Sequence, residues 1–408
     1  MNKKRQDSKV ILGAVLGNIL EYYDNTLYGY MSAKLATVFF PTDDAFMSML
    51  SSFGAFAAGF AMRPLGGIVF GHVADRWGRM RGLTLSIFLT TVATCTIGLL
   101  PSYQTAGILA PLTLVLCRLL QGLSVGGEYG TSTALVLDVA KSGKSNFTAS
   151  LLSASAFVGA ILGTILGALC TASFMPEWGW RIPFLFGAVT GIIGLYLRRT
   201  LEPYFPPPAV IAAIPLLNLV KEHPRNLFCS MGIGAFSAVP FYLLSIYMNS
   251  RLMEEVGFSS AQTLLWNALI LLFITFMVPL NGWVADRIGN YKVMKIALIG
   301  AAITAYPLFW LIEHPTLPHL IVVQIIFSLI SSSFLSGTNT FLASLFPSKS
   351  RCTGISFGYC LGGALCGGTT PMIALTLVHW TGDPKAPAFY LLLTCILGWL
   401  GVSYAKRL

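Results

Sequence analysis

The chain has 408 residues, of which 55% are hydrophobic and 10% are charged, and its net charge at pH 7 is +10. A soluble domain carries about 25% charged residues, so this composition excludes a water-soluble protein. Apolar runs of about 20 residues, long enough to cross a hydrocarbon core of ~30 Å, recur along the whole chain. They predict an integral, multi-pass, all-α membrane protein, because helices of this length pair their backbone groups internally.

Twelve apolar segments are predicted to be transmembrane helices. They follow a basic leader, MNKKRQDSK, that lacks the pattern of a cleavable signal peptide. The segments cover residues 10–40, 45–73, 82–100, 106–138, 149–174, 182–199, 226–250, 260–284, 293–312, 318–346, 352–379 and 387–404. With the N-terminus inside, most of the 26 Lys and Arg residues fall on one side of the membrane, which predicts that both termini are cytoplasmic. The positive charge therefore reflects topology, and we expect no nucleic-acid partner.

A long interruption, RRTLEPYFPPPAVIAAIPLLNLVKEHPRN, separates the sixth and seventh segments, and its prolines predict a linker. We expect an N-terminal six-helix bundle at residues 1–200, a cytoplasmic linker at 201–225 and a C-terminal six-helix bundle at 226–408. The motif GHVADRWGRMR after the second segment has a counterpart, GWVADRIGNYK, after the eighth. Two motifs at matching positions indicate an internal duplication of six-helix units with parallel topology.

These motifs resemble the loop signature of the major facilitator superfamily, and within it the branch of metabolite:proton symporters for proline/betaine, α-ketoglutarate, citrate and shikimate. The matching stretches are GNILEYYDNTLYG, RPLGGIVFGHVADRWGR, RLLQGLSVGGEYG, WRIPFLFGAVTGIIGLYLRRTLEP and FPSKSRCTGISFGYCLGGALCGGTTP, and together they span nearly the whole chain. The resemblance implies the major facilitator fold, with twelve transmembrane helices in two six-helix, pseudo-symmetric halves. It also implies a secondary active transporter that imports a small polar metabolite, a carboxylate or a zwitterion, by proton-coupled symport and alternating access. An exchanger or uniporter without proton coupling, or a drug exporter, are the alternatives.

The resemblance further implies a monomer in a bacterial inner membrane, with protons, a small polar metabolite and the lipid bilayer as partners. Such a protein is not an enzyme and needs no cofactor, because the proton gradient supplies the energy. The eight Cys and five His residues agree, since they show no metal-ligand spacing. Two positions depart from the pattern: Asn290 replaces the usual Arg in the second loop motif, and Ser344 stands where an acidic residue is expected.

Two carboxylates, Glu21 and Asp24, interrupt the first apolar segment and share one helix face with Asn18 and Tyr28. An ionised Asp at mid-bilayer costs roughly 2.5 kcal/mol or more, so this stripe must face a cavity or a partner. We predict that Asp24 and Glu21, together with Glu128 in the fourth segment, couple transport to protons. Asn18 and Tyr28 are predicted to contribute to substrate binding.

Arg118, in the middle of the fourth segment, is predicted to bind the substrate. By the resemblance, Asp24 and Arg118 hold the positions of an aspartate–arginine pair that separates on protonation. An arginine stabilises the charged form of a nearby carboxylate and burial destabilises it, so an arginine that binds substrate leaves the carboxylate to take up a proton. Two alternatives stay open: the charges form buried ion pairs that merely hold helices together, or Glu128 pairs with Arg63.

The C-terminal half has no obvious charge within its spans, so neutral groups are predicted to give the substrate its hydrogen-bonding specificity. These residues, which equally suit contacts between helices, are Tyr242, Tyr247, Asn249, Gln324 and Asn339.

The two loop motifs supply charged residues at helix ends on the cytoplasmic side. They are expected to form gating salt bridges that break as the halves rock. The residues are Asp75, Arg76, Arg79, Asp286 and Arg287.

Overall fold

The computed structural model describes residues 3–77, 79–141, 143–201, 215–313, 316–347 and 351–405, and every element within these ranges is a helix. The prediction of an all-α protein is therefore confirmed. Eleven of the described helices are long and apolar enough to cross a membrane. The first helix is of comparable length and carries Glu21 and Asp24 in its apolar part.

The N-terminal half contains six long helices, three of which are interrupted at a single residue, Met31, Met62 or Gly127. They are α1 (Lys3–Tyr30, continued by Ser32–Phe39), α2 (Ala45–Ala61 and Arg63–Trp77), α3 (Arg79–Leu99), α4 (Leu109–Gly126 and Glu128–Val139), α5 (Ser145–Cys170) and α6 (Arg181–Leu201, preceded by a 3₁₀ turn at Glu177–Trp180). A short helix, Tyr103–Ala106, connects α3 to α4.

The C-terminal half repeats this plan with six more helices. They are α7 (Pro224–Tyr242, Leu243–Tyr247 and Met248–Glu255), α8 (Ser260–Ile288), α9 (Asn290–Glu313), α10 (Leu317–Leu345), α11 (Arg351–Gly362, Gly363–Gly367 and Thr370–Thr381) and α12 (Pro387–Ala405). The middle parts of α7 and α11 are π-helical turns, a distortion that is frequent at functional sites.

The helices run alternately up and down, so α1 begins and α12 ends at one face of the bundle, which we call the terminal face. Of the predicted linker, residues 202–214 lie outside the described residues, and Pro215–Glu222 form a short helix before α7. Local signals fix where some helices begin: Asp44 Oδ1 accepts from Phe46 N at 2.9 Å at the start of α2, and Ser259 forms a capping box before α8.

Glycines bring the helices of the N-terminal half close together, as is common in membranes. A Cβ at Gly122 of α4 would lie 1.7 Å from the carbonyl oxygen of Gly59 in α2. Likewise, a Cβ at Gly159 of α5 would lie 2.2 Å from the carbonyl oxygen of Ile19 in α1. The close contacts of α2 with α4 and of α1 with α5 pack these four helices around one cavity. The two halves meet mainly where α5 packs on α8 and α2 packs on α11.

Candidate functional site

A cavity of about 110 Å³ lies between the two halves, lined by residues of α1, α2, α4, α5, α7, α10 and α11. One buried water needs about 10–15 Å³ of such volume, so the cavity has room for a small molecule. Both π-turn regions border it, through Tyr242 of α7 and Gly363 of α11. The space is therefore shaped by the distorted helices of the C-terminal half and the glycine-packed helices of the N-terminal half.

Contacts between the halves lie on both sides of this cavity. Towards the terminal face, the rings of Tyr129 and Tyr359 stack with centroids 4.3 Å apart, and Tyr129 Oη donates to Asn339 Oδ1 at 2.6 Å. Towards the opposite face, the ring of Tyr242 packs edge-on against those of Phe56 and Phe60, at 5.6 and 5.3 Å. The cavity thus sits between two sets of contacts that both join the N-terminal half to the C-terminal half.

Asp24 does not line this cavity; it lies behind α1, in a second and smaller chamber of about 10 Å³. Thr190 Oγ1 of α6 donates to Asp24 Oδ2 at 3.3 Å, while Oδ1 has no hydrogen-bond partner among the described residues. The chamber volume suits about one water. Glu21 and Glu128 also line it, and Glu21 lines the central cavity as well. Glu21 is thus the carboxylate that borders both spaces.

Glu128 forms a buried salt bridge with Arg198 of α6, each side chain being 3% exposed. Ser86 Oγ adds a hydrogen bond of 3.2 Å to the other carboxylate oxygen of Glu128. The interpretation in which Glu128 pairs with Arg63 is therefore wrong for this structure. Sequence reasoning missed Arg198 because this residue stands beside Arg199 at the end of the sixth segment. A pair of arginines there is typical of the basic residues that follow a transmembrane helix on the cytoplasmic side. A signal was present, since residue 198 falls inside the predicted segment 182–199.

Arg118 is not paired with Asp24, although the resemblance predicts that pair. Its Nη1 donates to Gln121 Oε1 at 2.7 Å, and its guanidinium lies 4.5 Å from the centre of the Tyr28 ring. Asp24 instead faces α6, where its Oδ1 lies 3.1 Å from the position of a Cβ on Gly187. Among the described residues no ion pair joins the two, because Arg118 is bonded to Gln121 of its own helix and Asp24 accepts from Thr190 of α6. Arg118 is 1% exposed and does not line the central cavity.

Three of the predicted substrate-binding residues, Asn18, Tyr242 and Asn339, do line the cavity. Asn18 Nδ2 donates to Leu152 O and to Ser155 Oγ of α5, both at 2.9 Å. Asn339 Nδ2 donates to Ser153 Oγ at 3.0 Å while its oxygen accepts from Tyr129. Asn18 and Asn339 therefore also hold helices together.

The other predicted binding residues lie away from the cavity. Tyr28 Oη donates to Ser52 O at 3.2 Å, and Asn249 Nδ2 donates to Ser245 O at 2.7 Å. Gln324 accepts from the indole of Trp266 within the C-terminal half, and Tyr247 is 1% exposed in the π turn of α7. In this conformation these side chains support the helices rather than the cavity wall.

Arg63, which the sequence suggests only as an alternative partner of Glu128, is a cavity-lining cation. Its Nη2 donates to Asn25 Oδ1 at 2.8 Å, and its guanidinium lies 3.4 Å from the centre of the Phe60 ring. Sequence reasoning also missed Tyr22, Tyr129 and Tyr359 as lining residues, because aromatic residues within an apolar span carry no mark of their orientation.

Of the predicted gating residues, the side chains of Asp75, Arg76 and Arg79 lie outside the described part of the structure. Asp286, at the end of α8, forms no described salt bridge with an arginine. Its carboxylate instead contacts the start of α5. Asp286 Oδ1 accepts from the backbone N of Asn146 at 2.9 Å and from the side-chain Nδ2 of the same residue at 3.1 Å. Asp286 Oδ2 accepts from the backbone N of Phe147 at 3.0 Å. The reason is that a helix N-terminus offers unpaired N–H groups and a partial positive charge. Arg287 stacks over Trp283 of its own helix, at 3.6 Å.

Two bundles of membrane-spanning helices around a cavity with buried charges define a membrane transporter. Comparison with known proteins agrees, since residues 10–205 match the family described as sugar (and other) transporter and residues 228–407 match the major facilitator superfamily. The citrate-proton symporter of Klebsiella pneumoniae is 32% identical over 97% of this chain and 92% of its own length. The proline/betaine transporter of Salmonella typhimurium is 31% identical over 97% and 83%. The chain belongs to the major facilitator superfamily, in the branch that contains these two carriers.

Solved structures show the same fold at lower identity. The crystal structure of a D-xylose-proton symporter superposes with a TM-score of 0.75 at 17% identity, covering 96% of this chain and 97% of that one. A human organic anion transporter superposes with a TM-score of 0.66 at 18% identity, covering 98% and 99%. The predicted major facilitator fold is thereby confirmed.

Proposed function

We propose that this protein imports a small polar metabolite with a carboxylate group together with protons, by alternating access of its two halves to the central cavity. The observation that supports the proposal most strongly is the position of Glu21. It borders the cavity where a substrate fits, and it borders the chamber that holds Asp24. The relatives named as citrate-proton symporter and proline/betaine transporter are in keeping with this reading.

The proton is proposed to bind in the N-terminal half, at Asp24 by way of Glu21. Asp24 is 5% exposed, and its Oδ1 lacks a partner among the described groups. A buried carboxylate without full hydrogen bonding is costly while it is charged, and a proton removes that cost. A single water in the chamber, within reach of the hydroxyls of Thr90 and Thr190, would carry the proton from Glu21 to Asp24.

Substrate and proton are proposed to be linked through Arg63. The charges of Arg198 and Arg63 act on Glu21, and Arg198 already pairs with Glu128. A substrate carboxylate that binds Arg63 withdraws this positive charge from Glu21, which then favours the protonated form. By reciprocity, a protonated Glu21 leaves Arg63 free for the substrate. The protein needs no cofactor in this scheme, because the proton gradient drives uptake.

The orientation follows the distribution of basic residues. We propose that the terminal face is cytoplasmic, that the membrane is a bacterial inner membrane and that the transporter acts as a monomer. The linker at residues 201–225 then joins the halves at residues 1–200 and 226–408 on the cytoplasmic side. The contact between Asp286 and α5 is proposed to close the cavity on that side and to open when the cavity faces the cytoplasm.

Uptake into proteoliposomes tests the proposal. A labelled panel of betaine, proline, citrate, α-ketoglutarate and shikimate is offered with and without an inward proton gradient. We expect one compound to accumulate only with the gradient in the wild type and in Asp43→Asn, a matched control because Asp43 is exposed in the loop before α2. Asp24→Asn should only equilibrate that compound across the membrane. Flux in the wild type that ignores the gradient would instead establish a uniporter or an exchanger.

A further inference from the structure

We infer that the cavity is built for a zwitterion, with the substrate carboxylate at Arg63 and a substituted ammonium group against a row of aromatic rings. This inference rests on the proposed function and specifies the substrate class of the same site. It distinguishes between two chemistries that both suit the branch, a polycarboxylate and a small zwitterion.

One cation lines the cavity among the described residues, and this argues against a substrate with several negative charges. Among the described residues, Arg63 and Glu21 are the charged side chains that line it. Arg198 forms an ion pair with Glu128. Arg118 does not line the cavity and contacts Gln121 and the Tyr28 ring instead. A tricarboxylate would bring three negative charges to one arginine, and buried charges left without partners are strongly unfavourable. A zwitterion needs one cation for its carboxylate, which Arg63 provides.

Arg63 has donors to spare for such a carboxylate. An arginine carries five N–H donors, and the described hydrogen bond of Arg63 runs from Nη2 to Asn25. Its Nε has no hydrogen-bond partner among the described groups. Because the guanidinium packs over the Phe60 ring, 3.4 Å from its centre, its position is set by packing rather than by an acidic partner. A fixed guanidinium with free donors is well suited to bind a carboxylate.

Four rings, those of Phe60, Tyr242, Phe241 and Phe157, line the cavity next to Arg63, and we call them the aromatic row. The ring of Phe60 lies 5.3 Å from that of Tyr242, Tyr242 lies 5.1 Å from Phe241, and Phe241 lies 5.5 Å from Phe157. All four residues line the cavity. Phe60 and Phe157 belong to the N-terminal half and the other two to the C-terminal half, so the row crosses between the halves twice.

Aromatic faces attract cations, and the recognition of quaternary ammonium groups is a known use of several rings placed together. A methylated ammonium would meet the rings while the carboxylate a few ångströms away meets Arg63. Because the row crosses between the halves, a bound cation would also bring them together, and this fits a substrate that promotes closure of the cavity.

Equilibrium binding to the wild type in nanodiscs separates these chemistries without any variant. The probes are glycine betaine, citrate and 3,3-dimethylbutanoate, an isostere of glycine betaine in which a neutral carbon replaces the ammonium nitrogen. Their affinities are compared by calorimetry at one pH. We expect glycine betaine to bind about tenfold or more tightly than the isostere, because the two share shape and carboxylate and differ in the cationic centre. Equal or tighter binding of the isostere would overturn the cation site, and preference for citrate would overturn the charge argument.

Variants of the aromatic row sharpen the test. Phe241→Leu should weaken glycine betaine about tenfold and leave the isostere within about twofold, whereas Phe241→Tyr should retain the affinity. Phe276→Leu is the matched control, because Phe276 is 66% exposed on the outer surface of α8. Equal losses for both probes in Phe241→Leu would show that the ring only packs. Binding requires no proton gradient, so failure of this inference is distinguishable from failure of proton-coupled uptake.

Discussion

The contact between Asp286 and the start of α5 joins the two halves at the terminal face, and its removal is predicted to open the cavity there. Three hydrogen bonds of 2.9–3.1 Å converge on this carboxylate from Asn146 and Phe147. In Asp286→Asn the side chain keeps one acceptor oxygen and loses the charge that complements the helix N-terminus. The variant therefore weakens the contact without removing the side chain.

The size of the effect follows from the number and type of bonds. Hydrogen bonds to charged groups contribute about 1.5–3 kcal/mol each, and a charge at a helix N-terminus about 0.3–1 kcal/mol. A loss of about 2 kcal/mol for the Asn variant is therefore a conservative value. It corresponds to a shift of roughly 30-fold in the equilibrium between conformations that are closed and open at the terminal face.

Thiol labelling measures this shift. Cys360 lines the cavity, so a chain in which it is the single cysteine reports access of an impermeant maleimide, added to vesicles that expose the terminal face. We expect labelling about 30-fold faster in Asp286→Asn, because the open conformation is about 30-fold more populated. Arg287→Gln is the matched control, because Arg287 stacks on Trp283 of its own helix. An unchanged rate in Asp286→Asn, or the same increase in Arg287→Gln, would refute the assignment of Asp286 as the contact that closes this face.

Two further predictions concern stability in detergent, read as the apparent melting temperature. Removing one partner of a buried ion pair costs about 3–5 kcal/mol, so Glu128→Gln and Arg198→Gln should each melt well below the wild type. The double variant should lose less in melting temperature than the sum of the two single losses. Additive losses would show that the pair is not coupled. Gly122→Ala should be severely destabilising, because its Cβ would lie 1.7 Å from Gly59 O, whereas Gly54→Ala in α2 has open space around it and should be neutral. Similar melting of these two alanine variants would contradict the close packing of α2 and α4.

The sequence predicts the architecture well because the bilayer restricts the possibilities so strongly. A predicted segment such as 260–284 agrees with α8, Ser260–Ile288, because apolar length and backbone pairing are readable without tertiary structure. The same reasoning predicts that Glu21 and Asp24 must avoid lipid, and both are buried inside the N-terminal half. Features imposed by the membrane itself are therefore recoverable from a single chain.

The pairing of the charges was not recoverable, because it depends on how the helices are rotated and how closely they approach. Arg198 reaches Glu128 past Gly17, where a Cβ would lie 3.1 Å from the guanidinium, and nothing in the sequence shows this passage. Arg118 uses Gln121, three residues along the same helix, and this local partner could have been considered. The cavity lining likewise combines residues far apart in sequence, such as Tyr129 and Asn339.

The most direct test of the central claim is whether substrate and protons move together. Wild-type protein is reconstituted in vesicles without any ion gradient, and the transported compound is added outside while the external pH is recorded. Proton symport through the N-terminal half predicts that the external medium becomes more alkaline on addition of substrate, and that Asp24→Asn abolishes this change while substrate still equilibrates. Substrate entry in the wild type without any change in external pH would contradict the account.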